Sequence, residues 1–346
     1  MGFLKLDPMM IKLIITVLLA SFLPARGIYV DIFSYLATAA IALLFFMHGA
    51  KLSREKIISG SSHWRLHLWI MFSTFVLFPV LGLLLVWWHP VNVGPEIYTG
   101  FIYLCILPAT VQSAIAFTSM AGGNVAAAVC SASASSLLGV FISPLLVNLV
   151  MDIHSSAPSD GLEQIGKIML QLMVPFVLGH LSRRWIGGWV EKHRSLIGKT
   201  DQTSILLEKK KKKKKKMVYS AFSEAVVNGI WHRVGLITLL WIVAGSIILL
   251  TAVLIINLLA SRLFRFKRAD EIVVLFCGSK KSLANGVPMA NILFPASTVG
   301  IIVLPLMIFH QVQLMVCSFI AGRYKKTNEK QQQAVQVKDS VMESQK

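Results

Sequence analysis

The sequence predicts an all-α polytopic membrane protein: ten transmembrane helices in two inverted five-helix repeats. Three observations carry that expectation. Apolar runs of about 20 residues, the length a helix needs to cross a bilayer, recur along a chain that is 55% hydrophobic and only 14% charged. The basic residues between the runs segregate to one side. Two of the runs, five apart in order, are interrupted in the same way.

The runs place spans at about 9–24, 32–49, 66–88, 97–120, 124–151, 165–181, 203–231, 236–260, 272–294 and 298–321. Lys51, Arg54, Lys56 and Arg65 fall between the second and third. Arg183, Arg184, Lys192, Arg194 and Lys199 fall between the sixth and seventh, and Arg262, Arg265, Lys267 and Arg268 between the eighth and ninth. Arg323, Lys325, Lys326 and Lys330 follow the tenth. With both termini cytoplasmic, these all lie inside and only Arg26, Lys167 and Arg233 lie outside, which is the positive-inside asymmetry. The repeats are expected over 9–151 and 165–321.

The N-terminal run resembles a signal peptide in its lysines, but "SFLPARG" has no small-x-small cleavage pattern. It is read as a retained first helix starting at Asp7-Pro8. Cys105, Cys130, Cys277 and Cys317 all sit in apolar segments and read as small buried side chains, with no zinc spacing or disulfide framework. Eight lysines, Lys209 to Lys216, interrupt the seventh span; without them the net charge of +18 falls to +10. The run reads as an insertion into a membrane helix, and its functional alternative is a patch for anionic lipid. Residues 322–346, Gln-rich and polar, read as a disordered cytoplasmic tail.

The interruptions carry the functional argument. The fourth span reads "LCILPATVQSAIAFTSMAGGN", with Pro108 at its centre followed by Thr110, Gln112, Ser113 and Thr118. The ninth reads "CGSKKSLANGVP", with Lys280, Lys281, Ser282 and Asn285 at mid-span. An odd offset of five spans turns the second half upside down relative to the first. Interrupted helices at matching places in inverted halves point to a midplane transport site. An intramembrane charge is costly and reads as functional. Adjacent helical residues diverge by about 100°, so one lysine is expected to face the site. Lys281, on a face with Cys277 and Asn285, is preferred; the plain alternative is that both lysines pair with helix C-terminal carbonyls. Glu224 is the only carboxylate placed deep in a span and reads as a proton carrier or a lysine's partner, with a structural hydrogen-bonding Glu as the plain alternative; Glu224, Lys281 and His310 are the proton-coupling candidates. Gln311 and Gln313 either face the site or serve helix packing. His63 and His67, beside Trp64, Arg65 and Trp69, read as an interfacial belt rather than a metal site.

The segments "ATAAIALLFFMHGAKLS", "LPATVQSAIAFTSMAGGNVAAAVCSASAS", "GKTDQTSILL", "AFSEAVVNG" and "FCGSKKSLANGVPMANILFP" resemble the bile acid:sodium symporter superfamily, in particular its bacterial branch. The resemblance covers nearly the whole chain except the lysine run and the tail. It implies a panel of helices 1, 2, 6 and 7, and a core of helices 3–5 and 8–10 in which discontinuous helices 4 and 9 cross. It also implies secondary transport of an organic anion in a bacterial inner membrane, with sodium or a proton as coupling ion. The chain departs from the sodium-coupled pattern. Cys277 and Lys281 stand where relatives carry a Glu and a Gln, and Gln112-Ser113 stands for a Ser-Asn pair. Ala128 and Ala132 replace two hydroxyl ligands, leaving Asn124, Ser131 and Ser133 as the nearest polar groups. An ammonium in place of a carboxylate repels sodium. Lys281 is therefore expected to take the place of the ion and to donate to Gln112, Ser113 and nearby carbonyls.

The expectation is thus a secondary transporter, not an enzyme, of a small anionic organic solute. The binding candidates are Gln112, Ser113, Thr118, Asn124, Ser131, Ser133, Lys280, Lys281, Ser282, Asn285 and Gln313. A channel or membrane sensor is the first alternative, although no carbonyl filter or acidic ring is evident. An intramembrane hydrolase using Lys281 and Ser282 is the second. The sequence holds no P-loop for ATP and no nucleic-acid motif.

Overall fold

The computed structural model describes residues 63–88, 91, 93–151, 158–192 and 235–344, with part of 39–50. Every regular element among them is a helix: α1 Trp64–Trp88, α2 Pro95–Ile106, α3 Gln112–Met120, α4 Val125–Met151, α5 Pro158–Lys192, α6 Leu236–Leu263, α7 Arg268–Gly278, α8 Leu283–Leu293 and α9 Ala296–Ser344. Four stretches are long and apolar enough to cross a membrane: Trp64–Trp88, Val125–Met151, Leu236–Leu263 and Ser297–Asn328. They coincide with the spans expected at 66–88, 124–151, 236–260 and 298–321. The expected first and seventh spans, the lysine run and Glu224 lie outside the described residues, as does most of the second span.

Both interrupted spans are broken into half-helices. The fourth is α2 and α3, separated at Leu107–Val111; the ninth is α7 and α8, separated at Ser279–Ser282. Pro108 causes the first break by withholding an N–H from the turn before it. In the second, Ser282 caps α8 by accepting the Asn285 N–H at 3.2 Å, which fixes where the new helix starts. The breaks touch: the Ser282 N–H donates to the Pro108 carbonyl at 3.0 Å.

The third span carries its own irregularity. Ser73–Leu77 is a π-turn inside α1, where the Phe78 N–H reaches back to the Ser73 carbonyl. The Thr74 carbonyl is thereby passed over, and the next residue, Pro79, has no N–H to give it. The π-turn and Pro79 together free one backbone acceptor in mid-helix.

Small residues let the elements close around the breaks. A Cβ on Gly139 of α4 would lie 2.4 Å from Pro108 Cβ, so only glycine admits the kinked backbone there. The largest apolar cluster joins α1, α2, α6, α8 and α9 through Phe78, Phe101, Val253, Val287 and Phe309. Helix α9 runs on to Ser344, through residues for which the sequence predicts a disordered tail. Gln, Glu, Lys and Ala are good helix formers, and the membrane helix ahead of them has already met the cost of nucleation.

Candidate functional site

Backbone groups at a break inside a membrane need protein partners, because lipid supplies none. The first break meets this need in full view. Ala109 N–H donates to Ser135 Oγ at 3.0 Å, and the Ile106 carbonyl accepts from Ser143 Oγ at 2.8 Å. The carbonyls of Cys105 and Leu107 remain, at the C-terminal end of α2, where unpaired carbonyls concentrate negative potential. The Lys281 ammonium takes both, at 2.6 and 2.7 Å, and takes the orphaned Thr74 carbonyl of α1 at 2.8 Å. Three donors meet three acceptors, and the Phe78 ring lies 4.2 Å away on the remaining side. Lys281 is fully buried.

The second break is held from α9. Gln313 accepts the Lys281 N–H at 2.9 Å and donates to the Lys281 carbonyl at 3.0 Å. Those two backbone groups fix which end of the amide is which. Its Nε2 then also donates to His310 Nδ1 at 2.8 Å, so that ring nitrogen carries no proton. Ser73 Oγ donates to the Gly278 carbonyl at 2.9 Å, and Asn285 Nδ2 donates to Ser136 Oγ at 3.2 Å. Tyr103 of α2 donates to the Gly286 carbonyl at 2.5 Å.

The remaining sequence candidates divide. Asn124 caps α4 by accepting the Ala127 N–H at 3.1 Å and ties that corner to α7 through Asp270 at 3.0 Å. Ser131 meets His67 Nδ1 at 2.7 Å. Thr118 is buried on α3, and its hydroxyl has no hydrogen-bond partner among the described residues. Ser113 lies 3.5 Å from Thr110 at the start of α3, where Gln112 is exposed. Ser133, half-buried on α4, is not among the groups that hold either break.

Three expectations need correction. Lys281 donates to carbonyls and not to Gln112 or Ser113, because the chain turns at Ser279–Ser282 and carries the side chain toward α1 and α2. Cys277 and Lys281 do not share a helical face, since α7 stops at Gly278; the Cys277 thiol instead approaches the Ala128 carbonyl at 3.8 Å. The tryptophan-histidine belt is only partly a belt. Trp64 is exposed, but Trp69 Nε1 donates inward to Asn257 Oδ1 at 2.9 Å, and His67 turns inward to Ser131. The sequence reading missed Thr74, Ser135, Ser143 and Tyr103. Pro79 marks a missing donor in this helix, and the π-turn is what assigns that loss to Thr74. The serines of α4 carry a spacing of eight around Gly139 that brings them onto one face.

A model of the SBF-like CPA transporter family matches residues 7–326. The chain belongs to that family. It is 68% identical over 327 residues to the "Putative symporter YfeH" of Escherichia coli (strain K12), covering 94% of this chain and 95% of that protein. It is 52% identical over 318 residues to an uncharacterized protein of Pseudomonas aeruginosa, covering 92% of each. A mouse protein, "Sodium/bile acid cotransporter 7", is 28% identical over 291 residues, 83% of this chain and 82% of its own length. The resemblance to the bile acid:sodium symporter superfamily therefore holds. The chain is a membrane transporter of this family rather than an enzyme, with apolar helices that place it in the bilayer.

Proposed function

We propose that this protein is a secondary active transporter of a small anionic organic solute, working by alternating access at the place where the two breaks meet. The reading takes the chain as ten helices in two inverted repeats, 9–151 and 165–321, with a panel of helices 1, 2, 6 and 7 rocking against a core of helices 3–5 and 8–10. Both termini are cytoplasmic and the membrane is the bacterial inner membrane.

The observation that carries the reading is the Lys281 ammonium capped by the Thr74, Cys105 and Leu107 carbonyls. A mobile cation at such a junction balances the C-terminal end of a half-helix and holds the breaks together. Here the cation is covalently attached to the chain. Sodium does not suit the same place: the acceptors are spent, and a second positive charge within a few Å in a low-dielectric interior is strongly repelled. Lys281 also ties α1, α2 and the second break into one body, which suits a core that moves as a unit. Transport then draws on a proton gradient. His310, whose Nδ1 accepts from Gln313, sits where taking up a proton would break that hydrogen bond. Glu224, outside the described residues, is the second proton-carrying candidate.

Uptake of radiolabelled monocarboxylates into proteoliposomes tests this. Replacing sodium by choline leaves uptake unchanged, and an inward proton gradient raises it. Saturable stimulation by sodium would refute the reading.

A further inference from the structure

The two adjacent lysines leave the second break toward different chemistry. Lys281 has spent its donors on carbonyls. Lys280 is equally buried, yet its Nζ has no hydrogen-bond partner among the described residues. It lies 3.7 Å from the centroid of the Phe117 ring on α3 and 5.7 Å from that of Phe276 on α7. Those rings stand 6.0 Å apart and pack with Cys317 of α9. The hydroxyl of Thr118, next to Phe117, is likewise buried and without a hydrogen-bond partner among the described residues.

Among the described residues the Lys280 ammonium has no hydrogen-bonding counter-charge, and a buried charge in that state is costly for a fold to hold. Aromatic faces offset part of that cost but use none of the three N–H donors. A group kept in this state is poised for something that arrives. What arrives must be negative, and one free ammonium matches one negative charge. A dianion such as phosphate would need a second cation, and the neighbouring one has no donor left. The ring faces of Phe117 and Phe276, packed with Cys317 in this conformation, would suit an apolar body attached to that charge once they part. Occupancy would also cancel the buried charge, so that the loaded site is neutral.

We propose that Lys280 is the anchor for the carboxylate of the solute, with Phe117 and Phe276 receiving its apolar body. The inference deepens the transport reading and rests on it. It divides the lysine pair: Lys281 serves the breaks and Lys280 serves the ligand.

Benzoate is a suitable probe and benzamide its uncharged counterpart. Thermal unfolding of the purified protein is followed with choline benzoate, benzamide or choline chloride, for the unmutated chain, Lys280→Met and Lys280→Arg. Benzoate raises the midpoint and benzamide does not, because only a ligand held by the folded site stabilises it. Lys280→Arg keeps the response. Lys280→Met loses it, with apparent affinity down about 30-fold or more. Lys280→Met is itself at least as stable as the parent, since an apolar side chain replaces an unpaired charge. Equal shifts with benzoate and benzamide, no shift with benzoate, or a response kept in Lys280→Met would overturn the proposal. So would a shift with inorganic phosphate that benzoate does not share. Failure of Lys280→Met to fold would show that the ammonium serves the structure through a partner in the chain, and would overturn it too. These readouts involve no uptake. A protein that binds benzoate through Lys280 but moves no solute refutes the transport reading and leaves this inference standing.

Discussion

Replacing Lys281 should destabilise the protein, whereas replacing its neighbour Lys280 should not. Removing the Lys281 ammonium leaves the Thr74, Cys105 and Leu107 carbonyls without their donor. A hydrogen bond to a charged group contributes about 1.5–3 kcal/mol, and a buried acceptor left unpaired costs about 1–3 kcal/mol. Three such bonds would amount to roughly 5–9 kcal/mol, against which the relief of burying one charge returns several. The net loss for Lys281→Met is about 3 kcal/mol, in line with the removal of one partner from a buried charged pair. The assay is thermal and denaturant unfolding in detergent, with the two single variants side by side. Lys281→Ala adds a control, because it leaves both the carbonyls and a space. Sodium at about 100 times its dissociation constant would return about 2.7 kcal/mol to that variant, while the unmutated chain gains nothing over choline chloride. A Lys281→Met protein as stable as its parent would refute the argument that this ammonium holds the breaks together. Sodium-dependent stabilisation of the unmutated chain would refute it equally.

Gln313→Ala should cost about 2–3 kcal/mol and impair uptake, because the Lys281 N–H and carbonyl both lose their partner; unfolding curves and uptake check it together. Ser282→Ala should cost about 1 kcal/mol through the lost cap of α8, read from the same curves. Gly139→Ala should reduce the yield of folded protein, since its Cβ would overlap the Pro108 ring and overpacking costs about 1–3 kcal/mol or more; size-exclusion profiles after extraction report this. Deleting Glu208 to Lys216 should keep uptake and leave or raise the unfolding midpoint, because ammonium groups do not belong in hydrocarbon. Loss of both properties would make the run integral to the protein.

The sequence by itself determined the class of the molecule and the places where it breaks. Spans at 66–88, 124–151, 236–260 and 298–321 follow from apolar length alone, a constraint that the bilayer imposes on any chain. Pro108 and the "GSKKS" stretch marked the breaks, because proline withholds a donor and charge resists burial wherever the helices end up. The sequence also singled out Lys281 and Gln313, since buried polar groups are rare enough to be noticed one at a time. It did not show what they touch. The partners of Lys281 come from residues 174 to 207 positions away, and all three acceptors are carbonyls, present in every residue and distinguished only by having lost their usual donor. That loss depends on where Ala109 and Phe78 send their N–H groups, which is settled by Ser135 across the α4 contact and by the π-turn of α1. The difference between Lys280 and Lys281 is of the same kind. One residue apart in the chain, they are told apart only when the turn at Ser279–Ser282 sends one ammonium to three oxygens and the other to two aromatic rings.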